Sequence, residues 1–103
     1  MAERIVVYWR DMPAQVIVKA GRRTARRQLP ERFEQAIDRA AMRAGLTGTD
    51  AYLEQWRRAA LEACGDDLES EAEAAAAALD QAYPPERLRG LVAAGGRAEA
   101  EES

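Results

Sequence analysis

Residues 5–21 run Ile5-Val6-Val7-Tyr8-Trp9-Arg10-Asp11-Met12-Pro13-Ala14-Gln15-Val16-Ile17-Val18-Lys19-Ala20-Gly21, and the fold turns on how this stretch is read. Ile5 to Arg10 is β-branched and aromatic, the side-chain type that packs well on a pleated surface, so it reads as a strand. Alternation puts Ile5, Val7 and Trp9 on one face and Val6, Tyr8 and Arg10 on the other. Asp11-Met12-Pro13 interrupts the run, because Asp bonds nearby backbone and Pro13 has no N–H to give a ladder. Ala14 to Ala20 is the expected partner strand, with Val16, Val18 and Ala20 as its apolar face and Gln15, Ile17 and Lys19 opposite. The two form an antiparallel hairpin whose apolar faces are expected to share one side of a small sheet.

Beyond Gly21 the pattern weakens. Arg22 to Leu29 alternates only faintly, with Ala25, Arg27 and Leu29 on one side, and reads either as a third strand or as an irregular arm. Leu29 precedes a proline and is disfavoured in a helix. A helix follows from Pro30, which suits a helix start, with Glu31 in the first turn where the macrodipole favours an anion. Phe33, Ala36, Ile37, Ala40, Ala41 and Ala44 form its apolar face, and Gly45 closes it. The polar face holds Glu34 and Asp38, a like-charge pair four residues apart.

Thr49 and Asp50 carry helix-start chemistry, and Tyr52, Leu53, Trp56 and Ala60 space as an apolar stripe. That spacing predicts a second helix running to Cys64-Gly65, with Arg57-Arg58 pointing outward. A third opens on Asp66-Asp67 and carries Leu68, Ala72, Ala75, Ala76, Leu79, Ala82 and Tyr83 on one stripe, until Pro84-Pro85 breaks it. Pro85 to Val92 adds one or two turns before Gly95-Gly96. One domain over residues 1–93 is expected, followed by a disordered acidic tail over 94–103.

The net charge of −3 hides an asymmetry. Residues 1–45 hold ten Arg or Lys against five Asp or Glu, and residues 46–103 hold five against thirteen, so the halves carry +5 and −8. They attract only where their faces meet, because salt screens exposed charges beyond about 8–10 Å. No run approaches the ~20 apolar residues of a membrane span. The charged, strand-like start is unlike a signal peptide, and the single cysteine suits a reducing compartment, so a cytoplasmic location without membrane contact is the expectation.

The chain has no histidine, which removes Ser-His and Cys-His nucleophiles and His-ligated metal sites. Cys64 alone makes no CxxC pair and reads first as a small packing residue, with a reactive thiol as the sharper alternative. No glycine-rich phosphate loop occurs. The acids from Asp66 to Glu73 lack calcium-loop spacing and suit a helix N-terminus instead. No catalytic residue, metal site or cofactor is therefore expected.

The basic run has more functional promise. Lys19, Arg22, Arg23, Arg26 and Arg27 place five cations within nine residues, with Arg10 across the hairpin. Such a patch holds phosphates, nucleic acid or an acidic protein surface, pairs with the acidic half of its own chain, or simply guards a sheet edge against stray pairing. The pI of about 5.0 and the lack of interleaved aromatics weigh against nucleic acid. Trp9 and Trp56 sit on apolar stripes and belong in the core by default, becoming interaction anchors only if exposed beside the arginines.

Several stretches together resemble the bacterial virulence factor domain family. They are Tyr8-Trp9-Arg10-Asp11-Met12-Pro13-Ala14-Gln15-Val16, the run from Gly21 to Pro30, Arg32-Phe33, Ala36 to Ala40, Thr49 to Leu53, and Trp56-Arg57-Arg58. Similar domains form the C-terminal part of the longer conserved virulence factor C proteins. The resemblance spans most of residues 4 to 92, implies no catalytic residue, and carries an association with corrinoid- or folate-dependent methyl transfer. The expectation is thus an α+β domain, a hairpin or three-stranded meander on two to three helices, acting without catalysis. It would bind a protein partner through Trp9, Arg10, Lys19, Arg22, Arg23, Arg26 and Arg27, with pairing of two copies left open. An accessory role in one-carbon methyl transfer is the alternative, and nucleic-acid binding the third reading.

Overall fold

The computed structural model of the chain describes residues 2–48 and 50–98. Its elements in chain order are β1 (Ala2–Trp9), β2 (Met12–Ala20), β3 (Arg23–Gln28), α1 (Glu31–Arg43), α2 (Asp50–Glu54), β4 (Trp56–Cys64), α3 (Leu68–Ala82) and α4 (Pro85–Ala93). The sheet has the order β3-β2-β1-β4, with every neighbouring pair antiparallel. The α+β class and the three-stranded meander are as the sequence implied. A fourth strand extends them.

That strand corrects the helix expected over 49–64. Residues 50–54 do form a short helix, but Trp56–Cys64 pairs along the free edge of β1. Arg, Ala, Leu and Glu are good helix formers, so local propensity favours the wrong answer here. The tertiary demand overrides it: β1 is apolar on both faces, and an unpaired edge would leave its backbone N–H and C=O groups without partners. The Thr49 cap lies outside the described residues.

The register supplies a second correction. Val6 pairs with Val16 and Ile5 with Ile17, so Val16 and Val18 share a face with Val6, not with Ile5 and Val7. A slip between Val7 and Tyr8, which leaves Ala14 out of the ladder, sets this pairing. Because side chains alternate with period two, a one-residue change in register exchanges the faces.

One face packs on α3. Ala2, Val16, Val18 and Ala25 bury against Leu68 and Ala72. Asp67 caps α3 by accepting a hydrogen bond from the Ser70 N–H at 3.2 Å, and Glu69 and Glu71 lie in its first turn. A larger cluster closes the hairpin end, where Trp9 and Met12 meet Phe33, Ile37 and Ala40 of α1 and Leu88 and Leu91 of α4. The apolar face read for α1 is the one it buries. Gly45 (φ +74°) ends that helix, with Leu46 N–H bonding Ala41 O and Gly45 N–H bonding Met42 O.

Past α4 the chain folds back onto the hairpin. Gly96 O accepts from Asp11 N–H at 2.9 Å, Gly95 O accepts from Arg10 Nη1 at 2.9 Å, and both glycines are buried. The expected tail over 94–103 falls, from residue 99 onward, outside the described residues.

Two glycines give a paired test of this packing. A Cβ on Gly96 (φ +95°) would lie 2.7 Å from Trp9 Cζ3, whereas one on Gly90 in α4 meets nothing within 4 Å. Gly96→Ala should lose about 1–3 kcal/mol in urea unfolding, and Gly90→Ala should be neutral or gain about 0.5–1 kcal/mol. The β4 assignment is checked by backbone chemical shifts: residues 57–63 should show strand-type Cα and Cβ shifts, and helical shifts continuing past Glu54 would refute it.

Candidate functional site

The register lays out the face away from α3 as a grid. One row runs Thr24–Lys19–Glu3–Ala63, the next Arg26–Ile17–Ile5, and the third Gln28–Gln15–Val7–Arg58. Ile5 and Ile17 lie at its centre on the two interior strands and are 3% and 4% exposed. Lys19, Arg26 and Arg58 stand around them, all exposed. None of these cations, nor Arg22 in the β2–β3 turn, has an ion-pair partner among the described residues. Glu3 is the only acid on the grid.

The basic run therefore divides in two. Arg23 and Arg27 share the other face with Ala25 and turn toward the acidic start of α3. Arg27 Nη2 lies 2.7 Å from Glu69 Oε1, and Arg23 Nη2 donates to Asp66 O at 3.3 Å. Both are structural contacts, and the exposed pair contributes little, about 0–1 kcal/mol. Lys19, Arg22 and Arg26 remain outward.

Trp9 and Arg10 leave the candidate set. Trp9 is fully buried, its Nε1 donates to Tyr52 O at 3.0 Å, and its ring lies 5.6 Å from that of Tyr52. Arg10 (φ +55°) sits in the hairpin turn, donates from Nε to Gln55 Oε1 at 3.1 Å, and stacks 5.2 Å from the Trp9 ring. Burial lowers its pKa, with Arg97 acting in the same direction. The two residues tie the hairpin turn to the segments before β4 and after α4.

Arg58 is the residue that sequence reasoning missed. On a helix it would sit beside Arg57, whereas on a strand the two point to opposite faces. Arg57 reaches Asp11 Oδ1 at 3.2 Å and stacks 4.8 Å from the Tyr8 ring, while Arg58 lies opposite Val7 on the grid. The one signal for it would have been the unsatisfied edge of β1.

Cys64 ends β4, opposite Ala2 and half-buried against the α3 cluster. Burial raises its thiol pKa, and Glu71 raises it further. Among the described residues, no group of three His, Cys, Asp or Glu could hold a metal ion, and no helix is long and apolar enough to cross a membrane.

A family model described as Virulence factor matches residues 7–92. No curated protein and no solved structure matches the chain.

The thiol chemistry is open to direct measurement. Since the thiolate is the reacting form, Cys64 in the folded protein should alkylate with iodoacetamide more slowly at pH 7.5 than in urea, and Glu71→Gln should speed it. Faster reaction in the folded state would show an activated thiol instead.

Proposed function

The chain belongs to the virulence factor family over most of its length, and from that premise we propose that it is a non-catalytic binding domain that docks an acidic protein surface on its open sheet face. The observation that carries this reading is the division of the arginines. Two of them are answered by α3, while Lys19, Arg22, Arg26 and Arg58 stand exposed without ion-pair partners among the described residues.

The open face is well suited to such a task. The sheet supplies rigid positions, so the cations are held at fixed spacings before a partner arrives, which limits the entropy lost on binding. Basic side chains over the buried Ile5 and Ile17 attract acidic partners over a distance and set the orientation of docking. Protein is favoured over nucleic acid because no aromatic ring lies among the cations on the three grid rows. The rings that adjoin the third row, Tyr52 and Trp56, stand with Glu34 and Asp38, whose charge repels a phosphate backbone.

Charge reversal with an internal control tests the reading. Arg26→Glu with Arg58→Glu should cut recovery of a salt-sensitive protein partner from the native host at least tenfold, without lowering the melting temperature by more than a few degrees. Arg27→Glu, aimed at Glu69, should leave recovery unchanged. Equal loss in both variants, or unchanged recovery in the double reversal, would refute the open face as the docking surface. Retarded single-stranded RNA at low salt, abolished by the same double reversal, would replace the protein partner with nucleic acid.

A further inference from the structure

A second feature lies at the hairpin end and has the opposite charge. Glu34 and Asp38 sit one turn apart on α1, where like charges repel. Neither has an ion-pair partner among the described residues. They border a cleft of about 190 Å³ whose lining includes no Lys or Arg. The buried side chains of Leu29 and Ile37 give it an apolar base. Tyr52 and Trp56 form an aromatic wall, their rings 6.2 Å apart and at 87° to one another.

We propose that this cleft binds an organic cation, an ammonium or guanidinium group on a short apolar stem. The stem lies against Leu29 and Ile37, and the charge sits between the two carboxylates and the aromatic rings. Three properties support this. Ring faces attract cations through their quadrupoles, and more so where water is partly excluded. The carboxylates carry a mutual repulsion that a bound cation relieves. The volume falls below the roughly 300–1,000 Å³ of sites for drug-sized ligands and suits a group the size of one side chain.

The local field agrees. The Tyr52 phenol is held above its usual pKa by burial first and then by Asp38, with Glu34 adding to the shift and a hydrogen bond from Trp56 opposing it. An inorganic divalent ion fits poorly, because calcium takes six to eight oxygen ligands and Ala14, Leu29, Ile37 and Trp56 in this lining offer no side-chain oxygen. The cleft adjoins the third row of the basic sheet face at Gln15 and Gln28, but its carboxylates lie on α1 and carry the opposite charge to Arg26 and Arg58, so either site can fail without the other.

The two indole N–H resonances provide the readout, since Trp56 lines the cleft whereas Trp9 is fully buried and does not. Titration of the full chain with n-butylammonium chloride should shift the Trp56 resonance saturably. n-Butanol and sodium chloride at the same concentrations should not. Glu34→Gln with Asp38→Asn removes the charges, relieves the repulsion and leaves the folded chain intact by melting temperature, so it should weaken butylammonium binding at least fivefold. Equal shifts with butanol, or unchanged affinity in the double variant, would overturn the proposal. A parallel titration with N-acetyl-lysine amide separates the sources: tighter binding than butylammonium assigns a basic side chain of a partner, and weaker binding assigns a free amine. Absence of saturable binding by both would overturn the site.

Discussion

Strand β1 has to be paired on both edges, and most of the architecture follows from that constraint. Its residues Ile5, Val6 and Trp9 are large, apolar and buried, so the strand belongs inside the sheet with both edges paired. The hairpin covers one edge with β2. The other edge is covered by Trp56–Cys64, drawn from more than forty residues away. Once β1 is interior, α3 must cover the Val16–Val18 face, and α1 and α4 must close the end where Trp9 and Met12 emerge. The non-local pairing is costly in loop closure, but that cost grows only slowly with length and is offset by satisfying a full strand of backbone groups.

The parts legible in the sequence were those where local chemistry and tertiary demand agree. Phe33, Ile37 and Ala40 repeat at helical spacing, Gly45 takes a left-handed turn, and the alanine-rich α3 begins on Asp67. In each case one short segment carries its own signal. The illegible parts depended on a second segment. Residues 57–64 prefer a helix in isolation, and only the empty edge of β1 makes them a strand. The register was hidden for a related reason. Both Val6 and Val7 could face the α3 layer by composition, and the slip at Ala14 that decides between them leaves no mark in hydrophobic pattern.

The candidate site inherits these two misreadings. A basic run in sequence is not a basic patch in space, because a strand sends alternate residues to opposite faces. Arg23 and Arg27 therefore meet Asp66 and Glu69, and Lys19 and Arg26 do not. The asymmetry between the basic first half and acidic second half is in this way partly consumed within the fold. The same alternation separates Arg57 from Arg58 and adds a cation that no linear reading of residues 22–27 supplies. Trp9, read as core by default and as an anchor only if exposed, is fully buried at the hairpin end, held through Tyr52 and packed against Gly96.

The hairpin end also explains why the acidic pair on α1 stays unanswered. Two cations of the hairpin end have structural tasks elsewhere: Arg10 is held by Gln55 and Gly95, and Arg32 bonds Asp80 and the carbonyl of Tyr83. On α1 itself, the positions three and four residues from Glu34 and Asp38 carry no basic side chain. Packing then brings Tyr52 and Trp56 against these carboxylates, because the short helix α2 must place the Tyr52 carbonyl over the Trp9 indole before β4 can begin. The residue that secures the core is thus the one that builds the aromatic wall. A change that loosened Trp9 would reach the cleft through Tyr52 before it reached Lys19 and Arg26, which pair farther along the strands from the hairpin turn.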